Sequence, residues 1–467
     1  MATKPYRSWW LREALAAAES SDPPPASVDG MRTDVAVIGG GYVGLWTALR
    51  LRELEPGLEV AILEADICGG GASGRNGGFV LSWWPKLASL IATCGTAEAL
   101  RLIEASLDAI DTVETFCRNH APEAGFRRGG WLWTATSPFH IGAWDGVVAR
   151  SAELRPGAFQ PLTPAEVAAR SGSPNHLAGV LEPSGGTVQP AVLVRALRRH
   201  ALDRGVQILE HTKVRRLDRS QPAHLRTDRG TLVADRVVVA TNAWAAGLRE
   251  LHRDLFVVSS DMIITEPAPE RLERIGWTGG EGVTDSQTLV CYYRTTPDGR
   301  VAFGKGGWAI GLGGWMPPAM TRHPGRSRMV AADFRRYYPM LRHVAIAADW
   351  AGPIDRTYDS LPIFGHLGGR RHITYGVGWS GNGVGPSVVG GRILASLALG
   401  RNDEWSRAGL VNARRRRFPP EPLRYAGAHV VREALVRKER AEAVGVQPGR
   451  IAQTLSGLAP AGLEDKS

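Results

Sequence analysis

The sequence contains little cysteine and no long apolar segment, and both absences exclude whole classes of protein. Its four cysteines, Cys68, Cys94, Cys117 and Cys291, show no C-x-x-C spacing, which argues against a disulfide scaffold and a cysteine zinc site. We therefore expect no metal and a reducing, cytoplasmic location. No apolar run is long enough to span a bilayer, and the N-terminal residues lack the continuous apolar core of a signal peptide.

A nucleic-acid-binding pattern is also missing, although the net charge is +10. Eleven Lys/Arg stand against five Asp/Glu between Arg401 and Arg440, so much of the excess charge lies near the C-terminus. Basic residues do not alternate with aromatic residues that could stack on bases, so we expect no nucleic-acid partner. The run RRRR at 414–417 is interpreted as part of a solvated helical face, with a docking surface as the alternative.

What the sequence does contain is a glycine motif near its N-terminus, GGGYVG at 39–44, directly after a short apolar strand. Gly39 permits a tight turn, Gly41 lets the backbone approach a pyrophosphate, and Gly44 lets the following helix pack closely on the strand. A second strand ends at Glu64, twenty residues after Gly44, where a carboxylate can accept hydrogen bonds from an adenosine ribose. Strand, helix, second strand and acid together predict a dinucleotide site.

A second glycine-rich stretch, CGGGASGRNGG at 68–78, follows the acid after only a few residues. Such a chain exposes backbone N–H groups and can lie flat against a large planar ligand. An NAD enzyme would normally continue with regular βα units, so this stretch favours FAD. The segment GASGRNGG in this position resembles a signature of the D-amino-acid oxidase and glycine oxidase family of FAD enzymes.

Three later segments carry the same resemblance, which spans residues 34–400. LVADRVVVATNAWA resembles the family's returning strand, DSLPIFG its segment beneath the flavin ring, and HITYGVGWSGNGVG a loop leading into a helix that faces the cofactor. The family often has His where this chain has Asn382, so no histidine role is expected there. Some members of the family attach FAD covalently through a cysteine late in the chain or a histidine near the early glycine loop. Here DSLPIFG and its upstream residues lack Cys and GGGASGRNGG lacks His, so non-covalent FAD is expected. The resemblance implies these cofactor contacts: Gly39, Gly41, Tyr42, Val43, Gly44, Glu64, Ala65, Gly71, Ala72, Ser73, Arg75, Asn76, Gly77, Gly78, Val214, Thr241, Asn242, Ala243, Pro362, Gly378, Gly381, Asn382, Gly383 and Val384.

The expected fold class is α/β, or α+β overall, with a Rossmann-like FAD-binding domain and a second, mostly antiparallel substrate domain. A C-terminal helical extension covers one edge. The expected boundaries are a helix and linker at 1–30, a discontinuous FAD-binding domain at 31–115, 186–252 and 349–400, a substrate domain at 116–185 and 253–348, and a tail at 401–467.

One lysine is predicted to be catalytic. Lys305 lies between glycines in VAFGKGGW, at the end of a β-like run. It resembles the position at which sarcosine oxidases of the family carry an oxygen-activating lysine, since a positive charge near the flavin stabilises developing superoxide. A solvated hairpin lysine is the alternative.

Substrate contacts are predicted at Tyr293, Arg294, Arg75 and Trp379. Strand alternation places Tyr293 on the face opposite its two neighbours, so one face can offer an aromatic wall and the other an anion anchor. A structural ion pair is the alternative for Arg294. Arg75 belongs to the loop that must meet the cofactor.

The resemblance implies an enzyme that oxidises the C–N bond of a small amine, amino acid or aminophosphonate by hydride transfer to FAD, with O₂ as acceptor. The tail and YYRTTPDGRVAFGKGG look like a subgroup of aminophosphonate oxidoreductases, and YYR…DGR…FG also resembles γ-glutamylputrescine oxidase. A flavin dehydrogenase with a protein or quinone acceptor is the first alternative. A tRNA-modifying flavoprotein would need an extended basic surface with stacking aromatics. The oligomeric state is not predicted.

Overall fold

The computed structural model describes residues 6–17, 27–460 and 462. Most of the expected proline-rich linker and the last residues of the tail lie outside this range. The helices are α1 (Trp9–Ala16), α2 (Tyr42–Leu54), α3 (Leu87–Cys94), α4 (Thr96–His120), α5 (Asp145–Leu154), α6 (Pro164–Ser171), α7 (Pro190–Asp203), α8 (Pro269–Arg274), α9 (Pro324–Tyr337), α10 (Pro386–Leu399), α11 (Leu423–Ala443) and α12 (Arg450–Ser456).

The strands build two large sheets and one small one. They are β1 (Arg32–Ile38), β2 (Val60–Leu63), β3 (Phe79–Val80), β4 (Trp131–Ala135), β5 (Gln160–Leu162), β6 (Ala178–Glu182), β7 (Gly186–Thr187), β8 (Gln207–Leu209), β9 (Val214–Asp218), β10 (Ala223–Thr227), β11 (Gly230–Val239), β12 (Phe256–Thr265), β13 (Gly282–Asp285), β14 (Cys291–Thr295), β15 (Val301–Ile310), β16 (Ile346–Arg356), β17 (Ile363–His366) and β18 (Ile373–Val377).

The first sheet has the order β17-β18-β11-β1-β2-β8, with β9 and β10 attached beside β11. Strands β18, β11, β1, β2 and β8 are mutually parallel, whereas the pairings β17–β18, β10–β11 and β9–β10 are antiparallel. Both faces are buried, which explains why β1 is a nearly continuous apolar run. Helices α2 and α10 pack tightly together on one face of this sheet.

The second sheet has the order β16-β12-β15-β14-β13-β4-β6-β5. Only the β13–β4 pairing among its neighbours is parallel, so the expectation of a mostly antiparallel second sheet is confirmed. Strand β16 belongs to this sheet as far as Arg356, whereas the sequence placed the boundary at 348/349. The mixed architecture agrees with the predicted fold class.

The interpretation of the basic run 414–417 as part of a helical face is wrong, because the run precedes α11 and has no helical structure. The Arg415 side chain is 7% exposed and donates to the Asp359 carboxylate, with an N–O distance of 2.9 Å, and Arg417 pairs with Asp254. Arg416 lies over the Tyr358 ring. Three of the four arginines therefore interact with other parts of the chain, and Arg414, Arg416 and Arg417 remain exposed. None of the helices in the described residues has the length and apolarity needed to cross a membrane.

Candidate cofactor and substrate site

The carboxyl ends of four parallel strands bring the predicted cofactor residues together. The Gly39 N–H donates to the Leu63 carbonyl at the end of β2, and the Ala240 N–H donates to the Ile38 carbonyl at the end of β1, each at 2.9 Å. Strand β18 ends beside β11 at the same edge. In open parallel sheets, ligands bind in the crevice outside these strand ends.

The first glycine loop (residues 39–44) has the geometry that its motif requires. Gly39 has a φ of +113°, and a Cβ there would overlap the Ala240 carbonyl oxygen. A Cβ on Gly44 would overlap the Gly39 carbonyl oxygen, so glycine is needed for the helix to start this close to the strand. A Cβ on Gly41 would meet only the Ser73 hydroxyl, which leaves the space above this residue open to a ligand.

The N-terminus of α2 is arranged to receive an anion. Its N-cap residue, Gly41, supplies no side-chain cap, and the first helical N–H, that of Tyr42, donates to Ser73 Oγ at 3.0 Å. The side chains of Tyr42 and Val43 are buried, so this end presents backbone groups. The partial positive charge of a helix N-terminus favours a phosphate at this point.

Glu64 follows β2 directly, as expected for a ribose-binding acid. Its carboxylate accepts hydrogen bonds from the N–H groups of Gly40 (2.8 Å) and Asp66 (2.9 Å), and burial raises its pKa. A carboxylate offers about four lone-pair positions, so two remain for ribose hydroxyls. Ala65 is exposed beside it, and the Thr212 N–H donates to the Glu64 carbonyl, which places Val214 at the start of β9 nearby.

The second glycine loop (residues 68–78) holds its own shape. The Asn76 amide donates to the Ser73 carbonyl and accepts from the Gly78 N–H, both at 2.8 Å. Gly78 has a φ of +76°, and a Cβ there would overlap the Val188 carbonyl oxygen. Residues Ala72–Gly74 form one 3-10 turn against the start of α2. Asn76 thus shapes this loop, and its predicted contact with the cofactor stays a prediction.

Arg75 is held by backbone carbonyls. Its buried guanidinium donates to the carbonyl oxygens of Gly70 and Ala351, each at 3.0 Å, and to that of Tyr6. Desolvation by burial lowers its pKa to about 10. Three backbone carbonyls therefore account for this side chain, which joins the second glycine loop to β16 and to the segment before α1.

A buried acid that the sequence did not predict joins two of the crevice loops. Asp355, near the end of β16, accepts from the Gly378 N–H (2.5 Å), the Trp379 N–H (3.1 Å) and Asn242 Nδ2 (3.0 Å). Burial raises its pKa to about 7. Asn242 belongs to the turn Thr241–Ala243 after β11, so Asp355 fixes this turn against the loop after β18.

The loop before α10 contains the remaining predicted residues. Asn382 Nδ2 donates to the Ser82 carbonyl at 3.0 Å. Gly381 has a φ of +96°, and a Cβ on Gly383 would contact only Trp379, with Val384 following. The Trp379 ring is buried against Phe364, 5.9 Å between centroids, so the structure uses it in packing rather than at an open surface.

Pro362 is fixed by the tail. Arg415 Nη2 donates to the Pro362 carbonyl and Nη1 to the Leu361 carbonyl, each at 2.9 Å. The segment predicted to lie beneath the flavin ring is thus clamped from outside by a residue of the basic run.

The second sheet has two faces, and only one meets the second glycine loop. On this loop-facing side, Tyr292 contacts Gly77 and the Phe79 ring, and Trp350 Nε1 donates to the Arg75 carbonyl at 2.8 Å. Arg294 lies on the same side, where its buried guanidinium donates to the carbonyls of Gly77 and Val188, each at 2.7 Å. Arg294 is therefore engaged by backbone.

Tyr293 and Lys305 lie on the opposite side, packed against α9. The Tyr293 hydroxyl contacts His176 Nε2 at 2.5 Å within an apolar cluster. Lys305 Nζ donates to Gln287 Oε1 at 2.8 Å and lies 3.4 Å from Asp333 and 3.7 Å from Glu439. The structure does not bring these two side chains to the crevice, because alternation along β14 and β15 turns them away from it.

Comparison with known proteins identifies the cofactor. Residues 34–397 match the family described as DAO, FAD dependent oxidoreductase. The chain belongs to this family. It is therefore an FAD-dependent amine or amino-acid oxidoreductase, and the predicted family, cofactor and enzyme class are confirmed.

Two curated relatives extend over most of the chain. It is 27% identical over 395 residues to the probable oxidoreductase OrdL of Haemophilus influenzae, covering 82% of this chain and 86% of the relative. It is 28% identical over 378 residues to gamma-glutamylputrescine oxidoreductase of Escherichia coli, covering 79% and 84%.

Solved structures share the fold. Glycine oxidase from Geobacillus kaustophilus superposes with a TM-score of 0.66 at 22% identity, covering 80% of this chain and 96% of the other. Iminodiacetate oxidase from Chelativorans gives a TM-score of 0.64 at 22% identity, covering 81% and 99%.

The residues present fit FAD. The open space above Gly41, the α2 N-terminus without a side-chain cap and the partly committed Glu64 carboxylate suit a pyrophosphate and a ribose. The α10 N-terminus also lacks a side-chain cap, and it begins at the edge where β18 ends. Two uncapped helix N-termini at one sheet edge match an anionic, extended cofactor.

Proposed function

We propose that this enzyme oxidises the C–N bond of a small primary or secondary amine, with the product imine hydrolysed by water and the cofactor reoxidised by O₂ to give H₂O₂. Bound FAD supplies the hydride acceptor. The observation that carries the proposal is the loop-facing side of the second sheet, which places Tyr292 and other aromatic side chains against the second glycine loop. Amino acids, N-alkyl amines and aminophosphonates are the candidate substrates.

In this proposal, residues of the chain bind and orient the cofactor and the substrate. The α2 N-terminus holds the pyrophosphate, Glu64 the ribose, and the loop before α10 the flavin end, without a covalent bond to the protein. Asp355 sets the distance between the loops after β11 and β18. The substrate is held on the loop-facing side, where Tyr292 takes the place that the sequence had given to Tyr293.

The placement of Lys305 favours a second candidate, a dehydrogenase that passes electrons to a protein or quinone. The ammonium group of Lys305 lies behind the sheet, so it offers no positive charge to stabilise superoxide at the crevice. One solved structure with the same fold, from P. horikoshii, is named L-proline dehydrogenase. A cytoplasmic location accords with four free thiols.

An amine panel tests the proposal. The FAD-loaded protein is mixed without oxygen with amino acids, N-methylated amines, polyamines and aminophosphonates, and bleaching of the flavin absorbance is recorded. Hydrogen peroxide and dye reduction are then measured in air with each amine that bleaches the flavin. Peroxide at the rate of amine loss supports the oxidase, and dye reduction without peroxide supports the dehydrogenase. No bleaching by any amine contradicts both.

A further inference from the structure

The carboxyl group of Glu182 lies among aromatic rings on the loop-facing side. Strand register places it there: Glu182 on β6 pairs with Trp131 on β4, which pairs with Gly282 on β13. The Phe79 ring, one residue after the second glycine loop, packs directly on Gly282. Directly paired residues of neighbouring strands project to the same face, so Glu182 faces the cofactor domain.

Only one of the two oxygens of the Glu182 carboxyl group has hydrogen-bond partners among the described residues. It is fully buried, and Oε1 accepts hydrogen bonds from Ser82 Oγ (2.7 Å) and from the Ser184 hydroxyl. Oε2 has no hydrogen-bond partner among the described residues. A buried polar atom without a partner is costly, which in native proteins points to a ligand or another role.

Among the described residues, no cation pairs with this acid. Burial raises the Glu182 pKa, and the two serine hydroxyls oppose the shift, with no charged side chain contributing. The buried acids Asp261 and Glu210 pair with arginines, and Asp285 and Asp355 accept from backbone N–H groups, whereas Glu182 accepts only from two serine hydroxyls. A cationic ligand would supply the positive partner that the described residues do not.

The surroundings of Glu182 suit an ammonium group. Trp131 and Trp133 stack at 5.5 Å between centroids, and Phe79 meets Tyr292 edge-on at 5.9 Å, all on this side of the sheet. Aromatic faces attract organic cations, and a carboxylate among them adds an ion pair. Trp133 Nε1 is also without an acceptor among the described residues, so an N–H donor is available for a second polar group.

A hydrogen-bond chain connects this acid to the cofactor crevice. Ser82, which donates to Glu182, accepts at its carbonyl from Asn382 in the loop before α10. One serine thus joins the acid on the second sheet to a predicted cofactor-binding loop. Glu182 lies two hydrogen bonds from that loop.

We propose that Glu182 is the amine-binding carboxyl group of this enzyme, and that its Oε2 accepts a proton from the substrate ammonium ion. In this step an N–H bond breaks and an O–H bond forms at Oε2, while the electron pair stays on nitrogen. The neutral amine is the form from which a hydride can leave the adjacent carbon. The substrate class is a compact organic ammonium ion, and the assignment rests on the proposed function.

Amine binding to the FAD-loaded protein tests this assignment. Methyl-, propyl- and benzylammonium ions are titrated without oxygen, and the early shift of the flavin absorption band is separated from any slower bleaching. Glu182→Gln, which keeps the shape and removes the charge, is expected to weaken binding at least about tenfold. Glu182→Asp, which keeps the charge, is expected to recover part of it. Glu281→Gln, at a buried acid just before β13 that pairs with Arg170 and whose Oε2 also has no hydrogen-bond partner among the described residues, serves as the control.

The outcomes separate this inference from the proposed function. Binding that depends on Glu182 without bleaching by any amine supports the inference and contradicts the proposed function. Bleaching at equal affinity in wild type and Glu182→Gln overturns the inference and leaves the function standing. Failure of the wild type to bind any of the three ions also overturns it. FAD absorbance and melting temperature of each variant show whether it folds. If Glu182→Gln does not fold, the binding affinity of Glu182→Asp tests the inference instead.

Discussion

At the scale of single residues, Asp355 has an unusual position for an acid. It lies at the end of a strand of the second sheet, yet its carboxylate is surrounded by donors from loops of the first sheet. Burial disfavours the charge, whereas the backbone N–H groups favour it, and the result is a pKa of about 7. The residue therefore titrates within the range in which most enzymes are assayed.

The pH dependence of stability follows from that value. Because the folded pKa of about 7 exceeds the ordinary 3.8, the stabilising contribution of Asp355 is complete below the ordinary value and is lost as the pH rises through 7. Between pH 3.8 and about 7, we expect the unfolding free energy of Asp355→Asn, relative to wild type, to rise by about 1.4 kcal/mol per pH unit. Above about 7 the difference should stay constant. Urea unfolding at pH 5, 6, 7 and 8 measures it.

A surface acid provides the comparison for this experiment. Asp235 on β11 is exposed, and Asp235→Asn should reproduce the wild-type slope. Parallel profiles for wild type and Asp355→Asn would show that Asp355 does not titrate in this window.

At the scale of elements, α1 is bound to the second glycine loop although it precedes the residues that match the family. Ser8 Oγ donates to the Gly74 carbonyl, Trp10 Nε1 donates to the Asn76 carbonyl at 3.0 Å, and Arg7 pairs with Asp66. The Arg294 guanidinium lies 5.1 Å from the Trp10 ring centroid. The helix therefore braces the loop on the side away from the crevice.

This bracing predicts an effect on cofactor affinity without contact with the cofactor. Trp10→Phe keeps an aromatic ring and removes the hydrogen bond to the loop, so we expect FAD to bind roughly three- to tenfold more weakly. Fluorescence titration of the apoprotein with FAD measures the dissociation constant. Trp9→Phe is the matched control, because Trp9 Nε1 has no acceptor among the described residues. Equal affinities in the two variants would argue against the brace.

At the scale of the whole molecule, the tail holds both domains from outside. Arg415 clamps the segment before β17, and Glu439 on α11 accepts from the Leu289 N–H at 2.7 Å and lies beside Lys305. Lys305 thereby connects the second sheet to α9 through Asp333 and to the tail through Glu439. Its surroundings are those of a structural cation.

Replacing this lysine distinguishes a structural role from an oxygen-activating one. Lys305→Met removes a buried ammonium group beside the buried Glu439 carboxylate and the partly exposed Asp333, which also pairs with Arg336, so we expect a loss of stability of about 3 kcal/mol. The rate constants of flavin reduction and reoxidation should keep their wild-type ratio. Chemical unfolding and stopped-flow measurement of both half-reactions test this expectation. A selective slowing of flavin reoxidation would contradict the structural role and indicate that Lys305 acts in oxygen activation.

The sequence by itself determined the first motif, the cofactor and the two-sheet architecture. The reason is local: a turn at Gly39, close packing at Gly44 and an acid after the second strand are each specified by a few adjacent residues. Alternation along β14 likewise placed Tyr293 and Arg294 on opposite faces.

Only the tertiary structure decided which face meets the cofactor domain, because alternation fixes relative directions and the packing of distant elements fixes the absolute ones. It turned Lys305 and Tyr293 towards α9 and enclosed Arg75 and Arg294 among backbone carbonyls. It also assembled contacts that no sequence spacing indicates: Ser82 meets Glu182 across 100 residues and Asn382 across 300. The cofactor site is therefore mostly local in origin, whereas the substrate side is made by long-range packing.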